Sequence, residues 1–287
     1  MRSKCLVLFG VLASVLLILF WISSLSNQTL NRPKSEVSVV TQESSNKSTS
    51  KNPAIAALVD YNLKTQDRIG SDISARIPIV HNKDDYPVLV DCLLNTNDVD
   101  AVRNEVINLL SRSHFSELAP LLIRIIENPD ESNRFRTFAT QHLGAQLSNQ
   151  DIETRTRVRD KLLQLLEGRE IGPRREALLA LVRHKDPVAS ATARRWLNET
   201  SEEYEAVKDL AIRSIQELDM RDEMPIIRSH LKSANEATRI ASIVVLSQWG
   251  DEESRAAFEV AASSTNSRLQ RAGKAAIQRL NSIKNSP

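Results

Sequence analysis

The sequence predicts an all-α protein, folded as a solenoid of about six helix pairs. Two observations carry this. A helical pattern recurs down most of the chain at intervals of 33, 38, 34, 31 and 31 residues, and a period in this range marks a stacked repeat array. The composition agrees: aromatic residues are 4% of the chain and only 7 of its 287 residues are glycine. A core of Leu, Ile, Val and Ala carried on helices suits that composition, and a β-sandwich does not.

The clearest copy of the pattern is the stretch from Asp98 to Leu110, which reads as one amphipathic helix. Arg103 is followed by Val106 three positions on and Leu110 seven positions on, and these spacings place side chains on adjoining helix faces. Arg136 precedes Ala139 and Leu143 in the same way, Arg174 precedes Ala177 and Leu181, and Lys208 precedes Ala211 and Ile215. Arg239 precedes Ser242 and Leu246, and the last copy is Gln270, Gly273 and Ile277. A first helix fits ahead of each of these second helices, over 86–95, 115–127, 151–167, 188–197, 222–232 and 252–262. The turns are rich in Asn, Asp, Ser and Pro, such as Asn97-Asp98, Asn128-Pro129-Asp130 and Glu199-Thr200-Ser201. Their side chains are suited to accept the free N–H groups that open the next helix. Pro173 suits a first helical turn, where its missing donor is no loss.

This pattern resembles the HEAT-repeat family, including its short bacterial variety, from about Asp85 to Leu280. Asp98, Val102, Arg103, Val106 and Leu110 match it best, while Gln270 and Gly273 depart from it in the last unit. The resemblance implies a right-handed α-solenoid over 85–281. A tetratricopeptide array has a similar period, but its Trp/Gly/Tyr pattern is absent. The resemblance also implies that Arg103, Arg136, Arg174, Lys208 and Arg239 form a structural ladder between units. Asp98, Asp100, Glu131, Glu170 and Glu203 are the carboxylates available to it. Read alone, the same row of cations also suits anion binding.

The N-terminal part is a separate piece. Arg2 and Lys4 precede an uncharged, largely apolar run from Cys5 to Ile22. Its length suits a bilayer-spanning helix, and its basic flank predicts a cytoplasmic N-terminus with the solenoid exported. The alternative is a cleaved signal peptide and a secreted product. Residues 23–53 are polar and read as a flexible linker. A capping helix and a loop are expected over 54–84, and a short tail over 282–287. Residues 1–53 carry a net +4 and the rest of the chain −2, so the slight basicity lies outside the solenoid.

The sequence carries no glycine-rich phosphate loop, Gly-x-Ser-x-Gly elbow or His-Glu-x-x-His run. Cys5 and Cys92 offer no disulfide within the exported part, and Cys92 sits in an apolar pattern that reads as core. No two of the five histidines, at 81, 114, 142, 184 and 230, have the spacing of a metal-binding helix face. None precedes a glutamate, which disfavours deoxyhypusine hydroxylases, the enzymes of the resembling family that hold iron on His-Glu pairs. Trp196, Trp249 and Tyr204 read as packing between units. The basic spots at Arg155-Arg157-Arg159-Lys161, Arg174-Arg175 and Arg194-Arg195 read mostly as solvated surface.

The expectation is thus a membrane-tethered, non-catalytic scaffold that binds a protein partner on the concave side of the solenoid, with no cofactor, metal or nucleic acid. Two alternatives stand beside it. One is an enzyme on the same scaffold, of the lyase or nucleic-acid glycosylase type, and the other is a purely structural spacer.

Overall fold

The structure is a computed structural model that describes residues 83–284. The transmembrane segment expected at 1–22, the linker at 23–53 and all but the end of 54–84 lie outside the described residues, as do 285–287.

Among the described residues every regular element is helical. Helices α1 (Tyr86–Leu94) and α2 (Asp100–Arg112) form the first pair, α3 (Leu118–Glu127) and α4 (Asn133–Ala145) the second. The third and fourth pairs are α5 (Ile152–Leu166) with α6 (Ile171–Arg183) and α7 (Pro187–Asn198) with α9 (Lys208–Glu217). A single turn, α8 (Glu202–Glu205), leads into α9. The last two pairs are α10 (Met224–Ser229) with α11 (Glu236–Gln248) and α12 (Arg255–Ala262) with α13 (Ser267–Lys284). Each second helix packs on the next, in the order α2, α4, α6, α9, α11, α13. Among the described first helices, only α3 and α5 make more than isolated contact. The second helices therefore form the more closely packed, inner layer of the helix pairs.

The periodic rows explain this packing. Val106, Ala139, Ala177, Ala211 and Ser242 are all fully buried, and so are Leu110, Leu143, Leu181, Ile215 and Leu246. Each large aliphatic contributes about 1.5–3 kcal/mol by leaving water. In the last unit the small position marks where the second helix crosses its own first helix. Gly273 shows the extreme: a Cβ there would lie 2.4 Å from the backbone nitrogen of Ala262 and 2.6 Å from the carbonyl oxygen of Phe258. The departure of the last unit from the pattern is thus a closer approach of α13 to α12.

Helix starts use the expected chemistry. Ser132, Asp151, Asp186 and Asn235 each accept a hydrogen bond from a backbone N–H in the first turn they precede. Asp98 does not cap α2; it accepts a bond from the Asn95 side chain at 3.0 Å, and Val99 occupies the cap position.

Helix ends hold a recurrence that the sequence does not advertise. Eleven residues after the reference cation, His114, Lys185, Asp219 and Gly250 have φ of 51°, 51°, 50° and 75°. The next residue in each case donates its N–H to the carbonyl at the buried +7 position: Phe115 to Leu110, Asp186 to Leu181, Met220 to Ile215 and Asp251 to Leu246. Four second helices therefore end on the same left-handed closing turn.

Three first helices differ from the sequence reading. The segment 222–232 divides into a 3-10 turn (Arg221–Glu223), helix α10 and a second 3-10 turn (His230–Lys232). Pro225 supplies no N–H to an earlier turn, and Ile227 is the only residue of α10 that is fully buried, so little holds a longer helix together. Residues Glu252–Ser254 form a 3-10 turn before α12. Residues 115–117 precede α3 as a turn, with Phe115 stacked on Tyr86 at 4.6 Å between ring centroids.

Candidate functional site

The ladder cations occupy equivalent places but meet different partners. Arg103 is fully buried. Its Nε donates to the Leu93 carbonyl at 2.9 Å, and its two terminal nitrogens form a fork onto the Glu131 carboxylate, one bond at 2.9 Å. Its guanidinium also lies 3.7 Å from the centre of the Phe135 ring. Arg136 donates to Glu170 and, at 3.3 Å, to the Asn128 carbonyl, and its Nε has no partner. Arg174 lies 3.6 Å from Glu203, between the rings of Trp196 and Tyr204 at 5.0 and 4.7 Å. Lys208 turns back to Glu205 of α8. Arg239 is half-buried, and its side chain makes no hydrogen bond or ion pair among the described residues. The carboxylate partners of the three arginines are exposed to 2% for Glu131, 37% for Glu170 and 66% for Glu203, and Glu205 on Lys208 returns to 37%.

A second set of ties joins consecutive first helices. Arg159 of α5 bonds Asp186 at 2.6 Å, Arg194 of α7 meets Glu223 and Asp222, and Arg228 of α10 bonds Asp251 at 2.8 Å. Burial works against charge on Asp186 and Asp251, yet hydrogen bonds from Arg159 and Arg228 outweigh it and hold both below the usual carboxylate range. Arg159 and Arg194 keep about two-fifths or more of their side chains exposed, and both also bridge units. Each reaches an acid at the start of the following unit, a neighbour about 30 residues away. Arg155 and Arg157 do point to solvent.

The inner face has its own register. Measured from the reference cation, positions −2, +1, +5 and +9 fall on one helix face. On α4 these are Arg134, Thr137, Gln141 and Ala145, and on α6 they are Gly172, Arg175, Leu179 and Arg183. On α9 and the residues just before it they are Ala206, Asp209, Arg213 and Glu217; on α11 they are Ala237, Ile240, Val244 and Gln248. All of these are exposed or half-buried except Asp209. The stripe continues onto α2 with Arg112 and onto α13 with Arg268, Arg271 and Arg279. It therefore carries eight arginines against Asp209 and Glu217, a net +6 within a described region whose net charge is −2.

The stripe is also electrostatically organised. Arg175 bonds both oxygens of Asp209 at 2.7 and 3.0 Å and the Ala206 carbonyl at 2.8 Å. Burial disfavours charge on Asp209, and the Arg175 bonds more than compensate, so its carboxyl sits below the usual range. Arg213 lies near Asp209, Arg175 and Arg268, and crowding away from water pulls its pKa down. Glu176 is buried beside Arg175 and Arg183, and burial raises its pKa despite both cations. Gly172 matters for spacing: a Cβ there would meet the Thr137 hydroxyl at 2.1 Å, so α4 and α6 lie close.

The remaining candidates of the sequence occupy structural positions. Cys92 and Trp196 are buried in the core. His142 is half-buried and shares a 2.9 Å hydrogen bond with Asn104 of α2, and burial pushes its pKa from 6.5 to about 4. His230 meets the Leu197 carbonyl at 3.2 Å. Trp249 is half-buried at the end of α11, beside Arg221 at 5.9 Å. Among the described residues no group of three His, Cys, Asp or Glu is placed to hold a metal ion, and no helix is long and apolar enough to cross a membrane.

No family model matches the chain, and no curated protein does. Among solved structures, a designed armadillo repeat protein is similar at 18% identity with a TM-score of 0.43, over 68% of this chain and 99% of that one. A second designed armadillo repeat protein, in complex with peptide (KR)4, gives the same four values: 18%, 0.43, 68% and 99%. Human deoxyhypusine hydroxylase in complex with glycerol is similar at 16% identity with a TM-score of 0.36, over 74% of this chain and 78% of that one. The repeat architecture itself rests on the chain's own recurring geometry, above all the shared +3, +7 and +11 positions.

Proposed function

We propose that this chain is a non-catalytic binding scaffold, a HEAT-like solenoid that offers its inner second-helix face to a protein partner. One observation carries the reading: a continuous stripe at four fixed positions per helix, running across six consecutive second helices. Such a surface binds an extended partner through many small contacts. In this reading Arg103, Arg136, Arg174 and Lys208 are structural, because their side chains are taken up by contacts within the array. The uncharged run from Cys5 to Ile22 behind Arg2 and Lys4 supports a membrane anchor with the solenoid on the exported side.

The test is site-specific photocrosslinking of the full-length protein in its native membranes. Probes placed at Gln141, Leu179 and Val244 on the stripe are compared with probes at Thr156 and Ala191 on first helices. Capture of one protein from the stripe alone is the expected result. Equal capture from both faces, or none from either, overturns the scaffold.

A further inference from the structure

We propose that the inner stripe is built for an extended acidic polypeptide segment. This rests on the scaffold reading and adds the chemistry of the partner.

The first argument is charge. The stripe carries +6, so the remainder of the described region carries −8. The segregation is therefore not a by-product of a basic protein. Of the stripe's two carboxylates, Asp209 is already bonded at both oxygens to Arg175. Arg134, Arg183 and Arg213, on three successive second helices, form no ion pair among the described residues. Arg134 has only the Phe138 ring, 5.5 Å away, and Arg183 only the buried Glu176 nearby. Arg213 faces two further cations, Arg175 and Arg268, with Asp209 its one acidic neighbour. Like charges held side by side repel, and an incoming carboxylate relieves that repulsion while gaining a planar, two-pronged donor.

The second argument is spacing. Packed helices lie about 8–10 Å apart, so each step along the stripe corresponds to roughly three residues of extended chain at about 3.3 Å each. Between the cations lie short or neutral positions such as Gly172, Thr137 and Leu179, which leave room for a backbone. Helix α11 contributes no cation; Ile240 and Val244 make its step apolar. The pattern of the occupant follows: acidic residues over α4, α6 and α9, an apolar residue over α11, and acidic residues again over α13.

The same observations weigh against other occupants. The half-buried Phe138 beside Arg134 is the one aromatic at the stripe among the described residues, too few for a run of stacked bases, and the −8 around the stripe opposes a polyphosphate. The chain's own residues 1–82 carry +4 and are repelled by it.

The experiment uses the full-length protein in a neutral detergent. Its probe is a fluorescent 15-residue peptide with Asp at every third position and one Leu in the fourth interval. Competing probes are the Lys counterpart, a 15-nucleotide single strand and vesicles containing phosphatidylserine. Expected is saturable binding of the acidic peptide that weakens as salt shortens the Debye length from about 30 to 8 Å. The triple variant R134E/R183E/R213E lowers that affinity at least about tenfold, and R134Q/R183Q/R213Q lowers it less. The charge-matched control R155E/R157E/R169E, on and beside α5, changes it less than about twofold. Equal loss in both triple variants, absence of peptide binding, or preferred binding of the single strand or the vesicles overturns the proposal. If the stripe probes still capture a protein from membranes after R134E/R183E/R213E, the acidic partner is overturned and the scaffold stands.

Discussion

Arg103 and Arg239 occupy the same position in the repeat and live in opposite circumstances. Arg103 has no exposed surface, a carbonyl, a carboxylate fork and an aromatic ring to stack on. Arg239 is half-buried with an unsatisfied Nε. The cause lies one unit further on. Glu131 ends the turn between α3 and α4 and is buried against Arg103, whereas the corresponding turn between α12 and α13, Ser263 to Asn266, holds no acid, and Gly273 lets α13 close directly onto the α12 backbone. At the N-terminal end a buried ion pair joins one unit to the next; at the C-terminal end the close backbone approach lies within the last unit, between α12 and α13. A repeated residue is therefore not a repeated interaction.

The contrast is open to attack at several points. The largest effect is expected from Glu131→Ala, which leaves the Arg103 charge buried without its partner and costs about 3–5 kcal/mol, read as a lower urea midpoint. Gly273→Ala drives a methyl into the α12 backbone 2.4 Å away and is expected to cost about 1–3 kcal/mol. Hydrogen exchange then shows faster opening of α12 and α13 while α2 and α4 keep their protection. If protection falls along the whole array, the two ends are not separately held.

A third test uses pH. His142 ties α4 to α2 beside the Arg103 pair, and its folded pKa of about 4 lies below the ordinary 6.5. Its contribution is present above pH 6.5 and is lost as pH falls through about 4, because the unfolded chain takes up the proton first. On the order of 1–3 kcal/mol is at stake for this half-buried ring. His142→Gln is expected to flatten stability in that window, and an unchanged pH profile refutes the assignment. Below it, protonation of Asp186, Asp209 and Asp251, each held under the usual carboxylate range, removes further ties.

Two smaller effects complete the comparison. Lys185→Gly relieves a left-handed residue and is expected to stabilise by about 1 kcal/mol, measured by thermal unfolding. Arg239→Met is expected to change stability by less than about 0.5 kcal/mol, against a loss of several kcal/mol for Arg103→Met, which strands Glu131. Similar losses for the two arginines would erase the distinction between the ends.

These residues also show what a reader of the sequence can see. The +3 and +7 rows were visible because burial demands one residue type at one spacing. Glu131, Glu170 and Glu203 were visible as ladder partners because an acid stands in the connection that leads into α4, α6 and α9. The closing turns at +11 were hidden because His114, Lys185 and Asp219 stand where glycine is the usual signal. The first-helix ion pairs were hidden because Arg159 and Asp186 are neighbours only after stacking. The inner stripe was hidden by summation: its +6 disappears into a regional total of −2 unless residues are first sorted by helix face.

The two layers are also fastened differently, and this sets the mechanics of the array. Second helices touch side by side, while the first helices are bridged by long side chains from Arg159 to Asp186, Arg194 to Glu223 and Arg228 to Asp251. Tension applied to the ends meets a stiff inner layer and a compliant outer one, so the molecule yields by changing its curvature rather than its contour length. Because the compliant layer is fastened by charge, its spring constant falls with ionic strength.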